Sequence, residues 1–370
     1  MNLNGTAPGV ALNRGTHEDN VALDSKSRLK DHTISALNSA VTSTMQTMES
    51  IVIDNLSEYI PSDLQNVKDL DTEIPELAKN TRAMAAVEAA IRSIQTRHDL
   101  FLTDARTPPS IPDESVHLVV TSPPYWTLKR YRETEGQLGH IEGYEEFLDH
   151  LDTVWQWILR VLAPGGRLIC VVGDVCLSRR KNNGEHTCVP LHSSIQEHCR
   201  KLGYSNLAPI FWHKIANANY EVAGNSGFLG KPYEPNGVIK NDVEYILMLR
   251  KPGGYRKPSR SARLLSVISN ANHKKWFQQI WHDVPGESTR LHPAPFPLTL
   301  AARLVRMFSF VGDTVLDPFT GTGTTNLAAA QYGRNSIGLE LDPHYFAMAK
   351  ERLTTNTTDM FAKITVKTFE

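Results

Sequence analysis

Seven short apolar runs, separated by segments of helical periodicity, constrain the fold of this chain more than any other feature. Amphipathic patterns predict helices over 143–161, 190–202, 297–310, 323–332 and 343–354. The apolar runs lie at 99–102, 116–120, 167–172, 207–212, 244–249, 314–316 and 336–339. Strands that are apolar on both faces and alternate with helices are typical of a parallel sheet covered on both sides. The sequence therefore predicts an α/β fold with a doubly wound, mainly parallel sheet.

Composition restricts the class of protein. Of 370 residues, 41% are hydrophobic and 21% are charged, with 39 basic side chains against 40 acidic ones, which is typical of water-soluble domains. No stretch approaches the roughly 20 apolar residues that cross a bilayer, and the first residues lack the pattern of a secretion signal. The four cysteines lack the short paired spacings of a zinc site and indicate a reducing compartment. We expect a cytoplasmic protein with no membrane segment and no metal.

The first hundred residues differ from the rest of the chain. Residues 1–50 are rich in Ser, Thr and Asn and contain no Phe, Trp or Tyr, which predicts a flexible arm. Residues 51–98 carry apolar side chains at helical spacing, among them Ile74, Val87 and Ile94, and predict a helical extension. Such helices can cover the core or face a partner, and the pattern favours the first.

A stiff turn follows the apolar run at 116–120. Its sequence, residues 121–125, is TSPPY, and two consecutive prolines cannot continue a central strand. Ligands of doubly wound sheets bind beyond the carboxyl ends of the strands. We therefore expect this rigid turn to hold backbone carbonyls and one aromatic ring toward a ligand.

A glycine-containing turn follows the run at 314–316. Residues 317–323 read DPFTGTG and lead into an alanine-rich segment. Glycine lets the backbone approach a ligand closely, while the absence of a phosphate-binding lysine and of a third glycine argues against a pyrophosphate. Glu340 ends the next apolar run, at the position where an acidic side chain accepts hydrogen bonds from a ribose. The pattern predicts a nucleoside ligand without a pyrophosphate.

These two turns, together with Glu340, resemble the motifs of the S-adenosylmethionine-dependent amino-methyltransferases of DNA, the N4-cytosine/N6-adenine family. The catalytic motif precedes the cofactor motif, as in the circularly permuted β group of that family. Residues 292–297, HPAPFP, resemble the segment that precedes the family's glycine turn. The likeness spans about residues 99–356, and it implies a seven-stranded-type methyltransferase sheet with S-adenosyl-L-methionine as the cofactor.

The resemblance also implies a role for each motif residue. Ser122 and the carbonyl of Pro123 would accept the hydrogens of an exocyclic amine, and Tyr125 would stack on a base flipped out of the duplex. The implied catalytic residues are Ser122, Pro123, Pro124 and Tyr125. The implied cofactor-binding residues are Asp104, Phe296, Pro297, Asp317, Phe319, Thr320, Gly321, Gly323 and Glu340.

Basic residues indicate where DNA is bound. Residues 250–275 contain eight Lys or Arg and no Asp or Glu, a local excess that favours phosphate contacts in a chain of net charge -1. We predict an inserted target-recognition region at 250–290, between a catalytic half at 99–249 and a cofactor-binding half at 291–370. The predicted DNA contacts are Lys129, Arg130, Lys214, Arg256, Lys257 and Arg260.

The predicted function is methylation of cytosine N4 in double-stranded DNA, with a restriction endonuclease of the same site as a partner and a monomer or homodimer as the active form. Ser122 favours cytosine, because adenine-N6 members of the family usually carry Asp there; an adenine-N6 methyltransferase is the alternative. A nicotinamide-dependent oxidoreductase would require the third glycine and leaves the proline turn unexplained. A non-catalytic DNA-binding module would differ in not binding S-adenosyl-L-methionine.

Overall fold

The computed structural model describes residues 55–129, 131–177, 182–214, 241–287, 293–355 and 364–370. The predicted arm at 1–50 lies outside the described residues. Within the described part of the chain, no helix is long and apolar enough to span a bilayer.

In the described parts of the chain, the strands form one nine-stranded sheet and one separate hairpin. The sheet strands are β1 (Thr96–Leu102), β2 (Val116–Thr121), β3 (Leu162–Val172), β6 (Ser205–His213), β7 (Val243–Arg250), β8 (Ile280–Trp281), β9 (Thr314–Asp317), β10 (Asn335–Glu340) and β11 (Ile364–Phe369). The hairpin strands are β4 (Val175–Leu177) and β5 (Thr187–Val189). All seven predicted strands occur. The strands that the sequence pattern missed are short or alternate half-buried with exposed residues, as β11 does, so no continuous apolar run marks them.

Two helices precede the first strand, and the others lie between or after the strands of the sheet. They are α1 (Leu70–Leu77), α2 (Thr81–Arg92), α3 (Tyr144–Val161), α4 (Leu191–Leu202), α5 (Arg260–Leu265), α6 (Asn270–Trp276), α7 (Leu298–Phe308), α8 (Thr324–Gln331) and α9 (Pro343–Thr355). Short 3₁₀ turns span Leu56–Tyr59, Ser62–Leu64 and Leu138–His140. The five predicted helices correspond to α3, α4, α7, α8 and α9.

The strand order is β11-β1-β10-β9-β2-β3-β7-β6-β8. The six neighbours from β11 to β3 run parallel, whereas β7 is antiparallel to both β3 and β6. The predicted doubly wound, mainly parallel sheet is confirmed. Because the parallel strands share one direction, the ends of β1, β2, β9 and β10 meet at a single edge, here called the catalytic edge.

The central strands of the sheet are buried on both faces, which explains their continuous apolar runs. Leu118, Val119 and Val120 of β2 have no exposed surface, and neither do Val315 and Leu316 of β9. Each central strand has a hydrophobic layer on both faces, so alternation with polar residues would place polar groups in the core.

The helical extension covers the opposite edge of the sheet, where the parallel strands begin. Val87 and Ile91 of α2 belong to one buried cluster with Leu264 and Leu265 of α5 and with Val311, which lies just before β9. The favoured interpretation of the extension, a cover for the core, is thus what the structure shows. The same cluster joins the extension to the segment that was predicted to be an inserted recognition region.

The direction of β7 decides where that basic segment lies. Arg250, at the end of β7, pairs with Arg167 near the start of the central part of β3, whereas Tyr245 pairs with Val172 at the end of β3. The chain after β7 therefore emerges at the edge opposite to the catalytic edge.

Two of the predicted DNA contacts have structural partners at this opposite edge. Arg256 forms an ion pair with the buried carboxylate of Asp313. Arg260 donates hydrogen bonds to the backbone carbonyls of Gln65, at 3.1 Å, and of Val67. These cations connect the extension to the sheet, and their contact with DNA phosphates stays a prediction. Lys257 is exposed at the same edge.

We expect Leu264→Ala to lower the free energy of unfolding by about 2–5 kcal/mol, because it opens a cavity in the cluster that joins the extension to the sheet. Urea denaturation measures this change. Ile280→Ala is the matched control, since its side chain is 53% exposed, and we expect it to cost less than about 1 kcal/mol. Equal losses in the two variants would show that the extension is not held by this cluster.

Candidate active site

The proline turn projects from the end of β2 at the catalytic edge. Ser122 is half-buried, while Pro123, Pro124 and Tyr125 are buried. The Tyr125 hydroxyl lies 3.1 Å from Ser122 Oγ, which donates to it, and 3.4 Å from the carbonyl oxygen of Val171. Proline fixes φ at two successive positions, so this turn is rigid and its serine hydroxyl has a defined place.

Trp126, directly after the turn, carries two signs of a functional constraint. Its φ is +45°, the left-handed region that bulky residues rarely adopt. Its indole Nε1 is buried and has no hydrogen-bond partner among the residues that the structure describes, and its ring meets the Tyr144 ring edge-on at 5.0 Å. Strain of this kind persists where the surroundings impose it, and it is concentrated at functional sites.

The glycine turn projects from the end of β9, beside β2. Gly323 has φ +77° and is the residue before α8. A side chain there would be strained, and a Cβ atom would lie 3.0 Å from the Cβ of Ala349 and 3.2 Å from its Cα. Gly323 is therefore required for the close approach of α8 and α9.

Glu340 closes the glycine turn from the end of β10. Its carboxylate accepts a hydrogen bond from the backbone N–H of Gly321 at 2.7 Å and another from that of Asp342 at 2.8 Å. Burial raises the pKa of Glu340 to about 7, even though both hydrogen bonds favour the ionised form. Two backbone bonds leave lone pairs of the carboxylate available to a ligand.

Asp104 follows β1 at the same edge and is held by an arginine that the sequence analysis missed. The Arg106 Nε lies 3.0 Å from both carboxylate oxygens of Asp104, and the Arg106 guanidinium also donates to the carbonyl of Gly136 at 3.0 Å. Burial acts to raise the pKa of Asp104, but the hydrogen bonds from Arg106 hold that pKa below its ordinary value. The spacing Asp-x-Arg was the only signal for this pair in the sequence.

The two turns meet in one narrow cavity of about 60 Å³. Of the residues predicted for the site, those that line it are Asp104, Ser122, Pro124, Phe319, Gly321 and Glu340. Lining residues that the sequence analysis missed include Thr103, Tyr131, Gln137, Leu138, Ala294 and Tyr345. Most of these come from loops, where no periodic pattern marks a residue as facing a ligand.

Other predicted cofactor residues form hydrogen bonds that stabilise the glycine turn, and they do not line the cavity. Asp317 is 1% exposed and accepts hydrogen bonds from Thr121 Oγ1 at 2.7 Å and from the Phe319 N–H at 3.0 Å. Burial raises its pKa to about 6. Thr320 Oγ1 donates to the Asp317 carbonyl at 3.0 Å, and this bond also stays within the turn.

Phe296 and Pro297 precede α7. Phe296 packs against the core cluster of the sheet, and Pro297 is the residue before the first turn of the helix. The neighbouring Ala294 is the member of this segment that lines the cavity.

The remaining predicted DNA contacts lie in different surroundings, and their roles stay predictions. Lys129 is half-buried four residues after Tyr125, and Arg130 lies outside the described residues. Lys214, after β6, forms an ion pair with Glu244 at 2.8 Å. Among the residues that the structure describes, no three His, Cys, Asp or Glu side chains are grouped as metal ligands.

The sheet order and the two turns define the class of S-adenosylmethionine-dependent methyltransferases. A putative DNA modification methylase of Thermus thermophilus, TTHA0409, solved in complex with S-adenosyl-L-methionine, aligns with a TM-score of 0.60 and 50% identity over 74% of this chain and 100% of that chain. A family model for DNA methylases matches residues 116–351. The chain belongs to this N6/N4 DNA methylase family.

Two curated relatives support the same assignment. The Type II methyltransferase M.MjaI of Methanocaldococcus jannaschii is 39% identical over 289 residues, which are 70% of this chain and 92% of that protein. M.MthZI of Methanothermobacter thermautotrophicus is 33% identical over 282 residues, which are 70% of this chain and 77% of that protein. The chain is therefore a DNA methyltransferase that uses S-adenosyl-L-methionine.

The raised pKa of Glu340 predicts a pH-dependent stability difference. When the pKa of a carboxyl is higher in the folded than in the unfolded chain, the free energy of unfolding of the protein falls as the pH rises between these two pKa values. We therefore expect the free energy of unfolding of Glu340→Gln, relative to wild type, to increase by about 2 kcal/mol between pH 5 and pH 8. Urea denaturation without cofactor at both pH values tests this; a difference independent of pH would contradict the burial of the charge.

Proposed function

We propose that this protein methylates the N4 amine of a cytosine flipped out of double-stranded DNA. The observation that carries the proposal is that Ser122, on the rigid turn after β2, lines the same cavity as Phe319 and Glu340. Enzymes that act on a base take it out of the stack, and the half-buried Ser122 at the catalytic edge is placed to meet such a base.

The residues around the cavity suit S-adenosyl-L-methionine, which supplies the methyl group on a sulfonium. The carboxylate of Glu340 would accept hydrogen bonds from the ribose hydroxyls, and Asp104, oriented by Arg106, would accept one from the adenine amine. The ring of Phe319 would contact the sulfonium, because an aromatic face attracts a cation. Three chemical features of the cofactor thus have a matching group on the cavity wall.

The catalytic turn would act on the target amine by position rather than by strong base chemistry. The lone pair of an exocyclic amine is delocalised into the base ring, so the amine is a weak nucleophile. Hydrogen bonds from its two hydrogens to Ser122 Oγ and to the Pro123 carbonyl would draw the nitrogen toward tetrahedral geometry and direct the lone pair at the methyl group. Stacking of Tyr125 on the base remains a prediction, since this residue is 4% exposed.

DNA would reach this turn from the catalytic edge, where Lys129 is the predicted phosphate contact. The names of M.MjaI and M.MthZI, Type II methyltransferases, support a role as the modification enzyme of a restriction-modification system. The partner would be an endonuclease that cuts the same site. A monomer or a homodimer is the expected form.

The choice of cytosine rests on Ser122 alone. A second candidate function is methylation of adenine N6, which one relative favours: the DNA adenine methyltransferase YhdJ of Escherichia coli is 29% identical over 261 residues, 66% of this chain and 78% of that protein. The same cavity and turn would serve either base, because both targets are exocyclic amines.

Incubation with unmethylated genomic DNA and S-adenosyl-L-methionine, followed by nucleoside mass spectrometry, distinguishes the bases. We expect N4-methylcytosine from the wild-type protein and at least about a hundredfold slower transfer by Ser122→Ala, because the variant loses one acceptor for the amine. Glu351→Gln, an exposed change on α9, should behave as wild type. Detection of N6-methyladenine would show that adenine, not cytosine, is the target base. If neither methylated base is detected, DNA is refuted as the substrate.

The role of Glu340 predicts how cofactor affinity varies with pH. The ionised carboxylate accepts the ribose hydrogens, so protonation below a pKa of about 7 should weaken binding. By calorimetry with S-adenosylhomocysteine, we expect about a tenfold larger Kd at pH 6 than at pH 8. Glu340→Gln should bind more weakly at pH 8 and lack this slope. Wild-type affinity in Glu340→Gln would contradict the ribose contact.

A further inference from the structure

A carboxylate that no sequence motif marked lies directly behind the catalytic turn. Glu244 is the second residue of β7 and pairs with Trp212 of β6. Because β7 is antiparallel to β3, its first residues lie at the catalytic edge. Glu244 is thus brought beside a turn that precedes it by about 120 residues.

Glu244 contacts both the turn and a cation. Its Oε2 lies 3.3 Å from the Tyr125 hydroxyl, and its Oε1 accepts a hydrogen bond from Lys214 Nζ at 2.8 Å. The Glu244 side chain is 13% exposed and that of Lys214 is 22% exposed. A Cβ atom at Gly173 would lie 3.3 Å from Glu244 Cγ, so the glycine at the end of β3 leaves room for the carboxylate.

The hydrogen bonds around Tyr125 form a chain with one direction. Ser122 Oγ donates to the Tyr125 hydroxyl at 3.1 Å. Tyr125 can donate onward to Glu244 or, at 3.4 Å, to the Val171 carbonyl, and the charged carboxylate is the stronger acceptor. Burial, and next the charge of Glu244, raises the pKa of Tyr125, which keeps the phenol protonated and able to donate.

We propose that Glu244, fixed by Lys214, is a positioning residue that orients the Ser122 hydroxyl through Tyr125. With its hydrogen directed to Tyr125, Ser122 Oγ presents its lone pairs to the target amine and cannot turn a hydrogen toward it. The negative end of the chain also polarises both hydroxyls and strengthens Ser122 as an acceptor. This inference rests on the proposed function, since it concerns the same amine.

The hydrogen-bond chain from Ser122 through Tyr125 to Glu244 also provides a route for the proton that the reaction releases. After methyl transfer the exocyclic nitrogen is cationic and carries one hydrogen too many. Its N–H bond breaks and the proton passes to Ser122 Oγ, the Ser122 hydrogen passes to the Tyr125 oxygen, and the Tyr125 hydrogen passes to Glu244 Oε2. A cationic base and a carboxylate become a neutral methylated base and a carboxylic acid, so atoms and charge balance.

Other titratable and charged groups lie around these hydrogen bonds. Tyr131 lies close enough to Glu244 for the carboxylate to raise its pKa, although burial is the larger cause. Cys170 acts in the same direction on the pKa of Tyr125. Asp242 pairs with His213 at 3.0 Å, next to Glu244 and Lys214 along the two strands. Within the described residues, Lys214 is the cation in direct contact with Glu244.

Single-turnover methylation by Glu244→Gln tests the proposal, because this change keeps the size of the side chain and removes its charge. We expect a ten- to hundredfold slower transfer, unchanged KM for DNA within about twofold, and unchanged affinity for S-adenosylhomocysteine. Glu244→Asp should recover part of the rate, and Glu351→Gln should match wild type.

The outcomes separate this inference from the proposed function. A Glu244→Gln variant with the wild-type rate would overturn the positioning role while the wild-type protein still methylates DNA. A slow variant that also loses S-adenosylhomocysteine affinity or thermal stability would overturn it too, in favour of a structural role. If the wild-type protein methylates no DNA, the proposed function fails instead.

Discussion

The parallel pairing of β2 with β9 is the constraint on which the site depends. Leu118 pairs with Val315 and Val119 with Leu316, so the two strands end side by side. At their ends Thr121 Oγ1 donates to the buried carboxylate of Asp317, which ties the proline turn to the glycine turn. The residues predicted for catalysis and those predicted for cofactor binding are about 200 positions apart in the chain, and this register brings members of both groups to one cavity.

The site at this edge contains buried carboxylates that destabilise the fold. The pKa values of Asp317 and Glu340 are raised to about 6 and about 7 by burial, so both charges oppose folding at neutral pH. Asp317 is compensated by hydrogen bonds within the protein. Glu340 has two backbone bonds and a face on the cavity, and the ribose of a bound cofactor would compensate the rest. Of these two carboxylates, Glu340 is the one that lines the cavity, and a carboxyl with a raised pKa in a cavity is expected of a functional site.

The sequence predicted the central sheet well because its strands are buried on both faces and appear as continuous apolar runs. It also placed Ser122, Phe319 and Glu340 after such runs, and the structure brings all three to one cavity, while their roles stay predictions. It did not reveal the partners of Arg256 and Arg260: a basic stretch without acidic neighbours predicts a phosphate-binding surface, and in the fold these side chains contact Asp313 and two backbone carbonyls far away in the chain. Local charge cannot show that compensation.

The sequence by itself determined the elements, the order of the two motifs and the chemistry of their side chains, because periodicity, proline and glycine act locally. The tertiary structure alone decided which end of each element faces the site. The reversal of β7 sends the basic segment after Arg250 to the far edge and brings Glu244 beside Tyr125. Strand direction within a sheet follows from pairing between distant segments, and no local pattern of residues encodes it.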